Sequence, residues 1–203
     1  VDLGVLIDRG MEFFGIRERG SIKDKLSKYV DELFRWQRHI NLTGFKEPES
    51  LVKNLIYEAL FTIKYLKGKE RVIDFGSGSG TTSIVFSLLL ESQIISVERN
   101  MKKVSFQKHI KRMLKIPNLH VLCGSIEEIE PLGACAVFAK AVGKVEKIVR
   151  KVDKHLISPG TLLIPKGREE EPSLISGYVL EMVEPLITPL NEKKRKLFVY
   201  RKL

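Results

Sequence analysis

Residues 71–83 read RVIDFGSGSGTTS. A β-branched apolar run closes on an acid, Asp74, and glycines then fall at every second position, Gly76, Gly78 and Gly80. The pattern predicts a strand that turns sharply into a helix. At such a turn, glycines let the backbone approach a ligand closely, and the first helical N–H groups have no partner within the helix.

Outward from this stretch the texture alternates. The short runs RVIDF (71–75), QIISVE (93–98), LHVLC (119–123), CAVFAK (135–140) and TLLIP (161–165) predict five strands. Helical patterns at 81–91, 101–115 and 143–156 separate them, so the sheet should be parallel and covered on both faces. The tail differs: 177–187 and 194–203 flank a polar turn at 191–194 too short for a helix, which predicts an antiparallel hairpin at a sheet edge. Before residue 70 the chain reads as helices. In 21–36, Ser21 and Asp24 have capping-box spacing, and Ile22, Leu26, Val30, Leu33 and Phe34 form an apolar stripe. A further helix is expected over 50–66, ended by Gly68. The fold class expected is α/β, a Rossmann-like class I methyltransferase sheet with a C-terminal antiparallel hairpin. A helical extension over 1–68 packs on the sheet domain, 69–203.

The loop spacing selects among ligands. The dinucleotide pattern G-x-G-x-x-G needs glycine or alanine at position 81, which is Thr81. The spacing here is D-x-G-x-G-x-G. A dinucleotide rests its pyrophosphate on the helix terminus, whereas adenosylmethionine presents a sulfonium cation and a zwitterionic tail that suit the acid Asp74. A second acid, to take ribose hydroxyls, is expected about 20 residues past the loop, where Glu98 closes the second strand. After the third strand, GSIEE (124–128) offers Ile126 and Glu127 to an adenine edge. The same residues also fit a helix N-terminus capped by Ser125 with Glu128 at capping-box spacing.

Thirty-five Lys and Arg against 25 Asp and Glu give the 203-residue chain a net charge of +10, a footprint suited to a polyanion such as nucleic acid. No run of eighteen apolar residues predicts a membrane span, and the first residues do not read as a secretory leader, so a cytoplasmic protein is expected. Cys123 and Cys135 lack metal-ligand spacing and sit within apolar runs, where burial is expected; no metal site is expected either.

The fourth strand is where this fold places acceptor chemistry. The segment FAKAVGK (138–144) lacks the Asn/Asp-Pro-Pro-aromatic turn that accompanies exocyclic amine methylation. Pyrimidine C5 methylation needs a cysteine nucleophile. What remains is an acceptor already nucleophilic, such as guanine N7, whose lone pair carries no proton at neutral pH. No catalytic acid or base is assigned; orientation carries the reaction.

Several stretches together resemble one family: FRWQRHINLTGFKEPESLVKNLI (34–56), VIDFGSGSG (72–80), KKVSFQKHI (102–110), GSIEEIE (124–130), FAKAVGKVEKI (138–148) and LLIPKGREEE (162–171). They are similar, in order and spacing, to the bacterial small-subunit rRNA guanine-N7 methyltransferase family, RsmG (GidB, glucose-inhibited division protein B). The resemblance implies adenosylmethionine as cofactor, a guanine N7 in 16S ribosomal RNA as acceptor, and cofactor contacts at Gly76, Gly78, Gly80, Thr81, Ile126, Glu127 and Lys140. Departures from the family pattern are TTS at 81–83 in place of a run with proline and glycine, Glu98-Arg99 for an aspartate-serine pair, Asn54 for a histidine and Lys140 for an arginine.

On the substrate side, Asn41 and Thr43 line a target-base pocket or cap the helix junction. Arg38 and Lys166 are the foremost basic contacts, Lys166 because the end of strand five opens toward the ligand crevice. Trp36 and the pair Phe13 and Phe14 are expected to pack the N-terminal helices. The expected partner is small-subunit rRNA or the assembling 30S subunit, approached by a monomer. Two other readings stand beside this one: a non-catalytic RNA-binding or ribosome-assembly protein on a methyltransferase fold, and a small-molecule methyltransferase.

Overall fold

The alternation that begins at Arg71 becomes a seven-stranded sheet in the computed structural model, which describes residues 2–17, 20–140, 143–189 and 195–203. The elements are α1 (Leu3–Phe13), α2 (Gly20–Gln37), α3 (Pro48–Leu51), α4 (Tyr57–Leu66), β1 (Arg71–Phe75), α5 (Thr81–Leu89), β2 (Gln93–Glu98), α6 (Met101–Leu114), β3 (Leu119–Cys123), β4 (Ala134–Ala139), α7 (Val145–Val152), β5 (Leu156–Gly167), β6 (Tyr178–Leu186) and β7 (Arg195–Lys202). The strand order is β3-β2-β1-β4-β5-β7-β6. The first five strands pair in parallel, and β7 lies antiparallel between β5 and β6. The edge is therefore β6, and the chain returns through β7 to close on β5. The expected turn at 191–194 lies outside the described residues.

Burial follows the pleat. In β4, Ala136 and Phe138 join one core while Val137 and Ala139 join the other. The first core contains Leu6, Leu26, Leu51 and Leu60 of the N-terminal helices together with Phe86 of α5 and Phe106 of α6. Those helices thus share a core with one face of the sheet. The opposite face is covered by α7, which buries Val145, Ile148, Val149 and Val152.

Two expectations about the helices need correction. Ser21 lies inside the first turn of α2, which starts at Gly20, so it cannot be the cap. The helix expected over 50–66 is interrupted by a π-helical turn at Val52–Ile56, where the Tyr57 N–H reaches back to the Val52 carbonyl. Apolar periodicity survives such an insertion of one residue, so the sequence pattern does not reveal it.

One buried acid ties the layers together. Glu58, 2% exposed on α4, holds Lys140 just past β4 on one carboxylate oxygen and Arg195 at the start of β7 on the other, the latter at 2.7 Å. Removing one member of a buried ion cluster leaves the others uncompensated. Glu58→Ala should therefore lower stability in urea unfolding by about 3 kcal/mol, and a Glu58→Leu/Lys140→Leu pair should cost less than the sum of its single changes.

Candidate functional site

The glycine turn takes a conformation that requires glycine: Gly76, Gly78 and Gly80 have φ of +71°, +60° and +79°. Inside the loop the Gly80 N–H donates to the Ser77 carbonyl at 2.9 Å; its other partners come from other elements. The Gly78 N–H donates to a Glu98 oxygen at 2.9 Å, and the other oxygen of Glu98 accepts the Asn100 N–H at 2.8 Å. Gln107 of α6, fully buried, donates its amide to Ser77 Oγ (2.9 Å) and to the Gly78 carbonyl (2.8 Å), while its own oxygen accepts from Ser96 Oγ. A Cβ at position 80 would stand 2.8 Å from Gln107 Cγ. From α2, the buried hydroxyl of Tyr29 lies 2.7 Å from Thr81 Oγ1 and 3.4 Å from Ser79 Oγ.

Asp74 sits beneath this loop. Its carboxylate accepts the Ser83 hydroxyl at 2.5 Å and also the Ser83 backbone N–H. Ser83 is in the first turn of α5, whose N-cap Gly80 has no side chain to offer. The strand acid therefore supplies the missing cap from a distance. Burial pushes its carboxyl up to about 6, against the Ser83 hydrogen bonds and the Lys140 cation, which favour the charged form.

A cleft of about 560 Å³ opens over the C-terminal ends of β1, β2 and β3. Phe75, Gly76, Val97 and Glu98 line it together with Gly124 through Glu127. Arg99, Lys103 and Lys151 stand at its edges. Of the residues expected to hold a cofactor, Gly76, Glu98, Ile126 and Glu127 line this cleft. Gly78, Gly80 and Thr81 shape the adjoining loop. Asp74 and Lys140 are not among the lining residues. Burial lowers the Lys140 pKa, and the ammonium turns to Glu58.

Ser125 does not cap the short 3₁₀ turn Ile126–Glu128; its hydroxyl donates to the Glu127 carboxylate at 2.6 Å. Lys151, 2.5 Å away, and that hydroxyl together hold Glu127 down to about 2. On the expected substrate side, Arg38 and Asn41 are exposed. Thr43 stabilises its own turn, its hydroxyl accepting the Phe45 N–H at 3.3 Å. Lys166 donates to the Gly143 carbonyl at 2.7 Å and pairs with Glu170 at 2.9 Å, which fastens the loop after β4. Trp36 packs on Phe106 and stacks on His109, and its indole N–H donates to Glu32.

The cysteine expectation fails: Cys123 is exposed and Cys135 half-buried. An apolar run marks a strand, but Cys123 is the last residue of β3, where the sheet opens to solvent. Neither cysteine lines the cleft. Among the described residues, no group of three His, Cys, Asp or Glu could hold a metal, and no helix is long and apolar enough to cross a membrane.

Tyr29, Ser83, Gln107 and Lys151 escaped the sequence reading. Gln107 could have been found, because a polar residue on the buried stripe of α6 with Val104, Ile110 and Leu114 must have a partner inside.

The strand order, the closing hairpin and the glycine turn into α5 define the class I methyltransferase fold. Solved structures share it: MtNAS, determined with MTA and tNA, has a TM-score of 0.61 at 14% identity over 97% of this chain and 75% of its own. The M. jannaschii TYW2 structure, in complex with AdoMet, has a TM-score of 0.59 at 16% identity over 73% and 76%. Residues 22–193 match the GidB family model, rRNA small subunit methyltransferase G, and the chain belongs to that family. The Ribosomal RNA small subunit methyltransferase G of Syntrophotalea carbinolica is 28% identical over 93% of this chain and 93% of its own length.

Because burial raises the Asp74 carboxyl from its ordinary 3.8 to about 6, the folded chain keeps a proton that the unfolded chain has released between those values. Its contribution to stability is complete below about pH 4 and is lost as pH rises through about 6. Comparing urea unfolding at pH 4 and pH 7, the wild type should lose about 3 kcal/mol that Asp74→Asn does not lose. Equal pH dependence in the two proteins would show that Asp74 is ionised without penalty.

Proposed function

We propose that this methyltransferase transfers the methyl group of adenosylmethionine to N7 of a guanine in small-subunit (16S) ribosomal RNA. The observation that carries the reading is the convergence of Glu98, Ile126 and Glu127 with the glycine loop on one cleft at the strand ends, in a chain that matches its family model over residues 22–193.

The residues present fit the cofactor. A carboxylate oxygen has two lone pairs, so Glu98 can hold the Gly78 and Asn100 N–H groups and still accept ribose hydroxyls. Ile126, its side chain buried in the core, can offer a backbone N–H to an adenine edge, and Glu127, kept ionised by Lys151 and Ser125, offers an acceptor to its exocyclic amine. At Gly124, φ is +152° and an added Cβ would meet nothing within 4 Å, so the backbone there leaves room for a ligand.

Adenosylmethionine supplies an electrophilic methyl group. Guanine N7 supplies an unprotonated lone pair, so the chain need provide no general base. The work left to the protein is to exclude misalignment, an effect worth up to about 7–11 kcal/mol when reacting atoms are held in line. A loop braced by Gln107, Glu98 and Tyr29 suits that task. On this reading the protein acts in the cytoplasm, away from membranes, as a monomer on rRNA or the assembling subunit. Arg38, Asn41, Thr43 and Lys166 are its substrate-side residues.

Calorimetry should show saturable binding of adenosylmethionine and none of NAD. Gly78→Val, which forces a β-branched residue to φ +60°, should abolish binding. Tyr29→Phe keeps the packed ring and removes only the hydroxyl, so affinity should fall about tenfold with a small change in melting temperature. Labelled methyl transfer to small-subunit rRNA, followed by borohydride and aniline cleavage, should place the label at a guanine N7. A folded protein that binds no adenosylmethionine, with RNA absent or present, would overturn the enzyme reading in favour of a scaffold.

A further inference from the structure

Helix α7 carries a sharp division of character. Val145, Ile148, Val149 and Val152 face the core. Lys147, Arg150 and Lys151, with Lys144 before the helix and Lys154 after it, project the other way. At 100° per residue, the helical cations Lys147, Arg150 and Lys151 fall within about 100° of one another, opposite the apolar stripe. Lys144, Lys147, Arg150 and Lys154 are exposed.

This face borders the cleft. Lys151 lines it and pairs with Glu127, and Lys154 donates to the Glu127 carbonyl at 2.8 Å. Arg99 and Lys103 line the same cleft. The neighbouring acids are held by local donors: Glu98 by two backbone N–H groups, Glu146 by Ser173, and Asp153 by Lys202 and Tyr178. Among the described residues Lys147 and Arg150 form no ion pair. Residues 99–154 hold thirteen Lys and Arg against five Asp and Glu, so most of the net charge of +10 lies in this part of the chain. The distribution is polar, for Asp2, Asp8, Asp24 and Asp31 gather with Lys23 around a hollow between α1 and α2. No large apolar side chain is exposed between 143 and 156, which favours a hydrated polyanion over a lipid surface as the partner.

We propose that the outward face of α7, led by Lys147 and Arg150 with Lys151 and Lys154, holds the phosphate backbone of the RNA while the acceptor base enters the cleft beside it. The assignment rests on the reading above that RNA is the substrate. An RNA strand that delivers a base to this cleft must pass beside it, and α7, whose Lys151 lines the cleft, carries the unpaired Lys147 and Arg150 on the same outward face. A run of lysines is by default a solvated face; the adjacency of Lys151 to the cleft and the absence of an ion pair at Lys147 and Arg150 among the described residues distinguish this one.

The test is charge reversal, Lys147→Glu/Arg150→Glu, beside a control of equal charge change on the exposed side of α6, Lys108→Glu/Arg112→Glu. Affinity for a small-subunit rRNA fragment is measured between about 50 and 200 mM salt, with adenosylmethionine titration and melting temperature for each protein. The α7 variant should bind RNA at least about tenfold more weakly, with a salt slope shallower by about 1.5 for two lost single-strand contacts. It should bind adenosylmethionine like the wild type, raise KM for RNA and leave kcat unchanged. The control should change RNA affinity by less than about threefold. Unchanged RNA affinity in the α7 variant, or an equal fall in the control, would overturn the assignment. A wild type that binds adenosylmethionine but neither binds nor methylates RNA would remove the substrate reading, and the assignment with it, a result distinct from both.

Discussion

Three glycines in the left-handed region within five residues make a loop that cannot hold its own shape. Each of those residues has more freedom to lose than any other type, and the one backbone bond inside the loop, Gly80 N–H to the Ser77 carbonyl, is joined by bonds that other elements supply. Gln107 does most of this. Its amide reaches both Ser77 and Gly78, and its side chain fills the space a Cβ at position 80 would need. Glu98 fixes the outer side of the loop, Tyr29 the inner side, and Asp74 caps the helix that follows. The partners come from α6, β2, α2 and β1. The loop is therefore a readout of the whole arrangement: displace α2 or α6 and its hydrogen bonds fail together.

This gives the N-terminal helices a part in the site although none of their residues lines the cleft. Tyr29 is fully buried and reaches across to Thr81 and Ser79, and Glu58 reaches from α4 to Lys140 and Arg195. Buried polar groups of this kind contribute little net stability compared with apolar side chains of the same shape. They do discriminate: an apolar core tolerates a helix that slides by a fraction of a turn, whereas a hydroxyl 2.7 Å from its partner does not.

The five parallel strands, the glycine loop, the place of Glu98 at the end of β2 and the turn after β3 were legible because each is written locally. A β-branched run, a glycine spacing and an acid about 20 residues on need no knowledge of what lies across the fold. What was illegible depends on distant partners. Asp74 reads as an acid for a cationic ligand, yet its lone pairs go to Ser83. Lys140 reads as a cofactor contact by family position, and its ion pair with Glu58, more than eighty positions earlier, could not be read from the sequence. Cys123 looks buried until the end of β3 is known to face solvent. The insertion of β7 between β5 and β6 is likewise a pairing choice that neither strand announces.

The chemistry proposed here asks for little from side chains as acids, bases or nucleophiles, and the site has the corresponding build. Its ionisable groups are bound into structure: Glu127 to Lys151, Glu98 to backbone N–H groups, Asp74 to a helix terminus. A group committed in this way is a poor proton shuttle, because moving its proton would break the contacts that position it. It is a good fixed point. Transfer between a sulfonium and an unprotonated nitrogen depends on the distance and angle of two bound molecules, and a rigid frame sets both. The same commitment of acids to internal donors leaves Lys147 and Arg150 of α7 without an ion pair among the described residues, so a positive field beside the cleft follows from the way the cleft is held together.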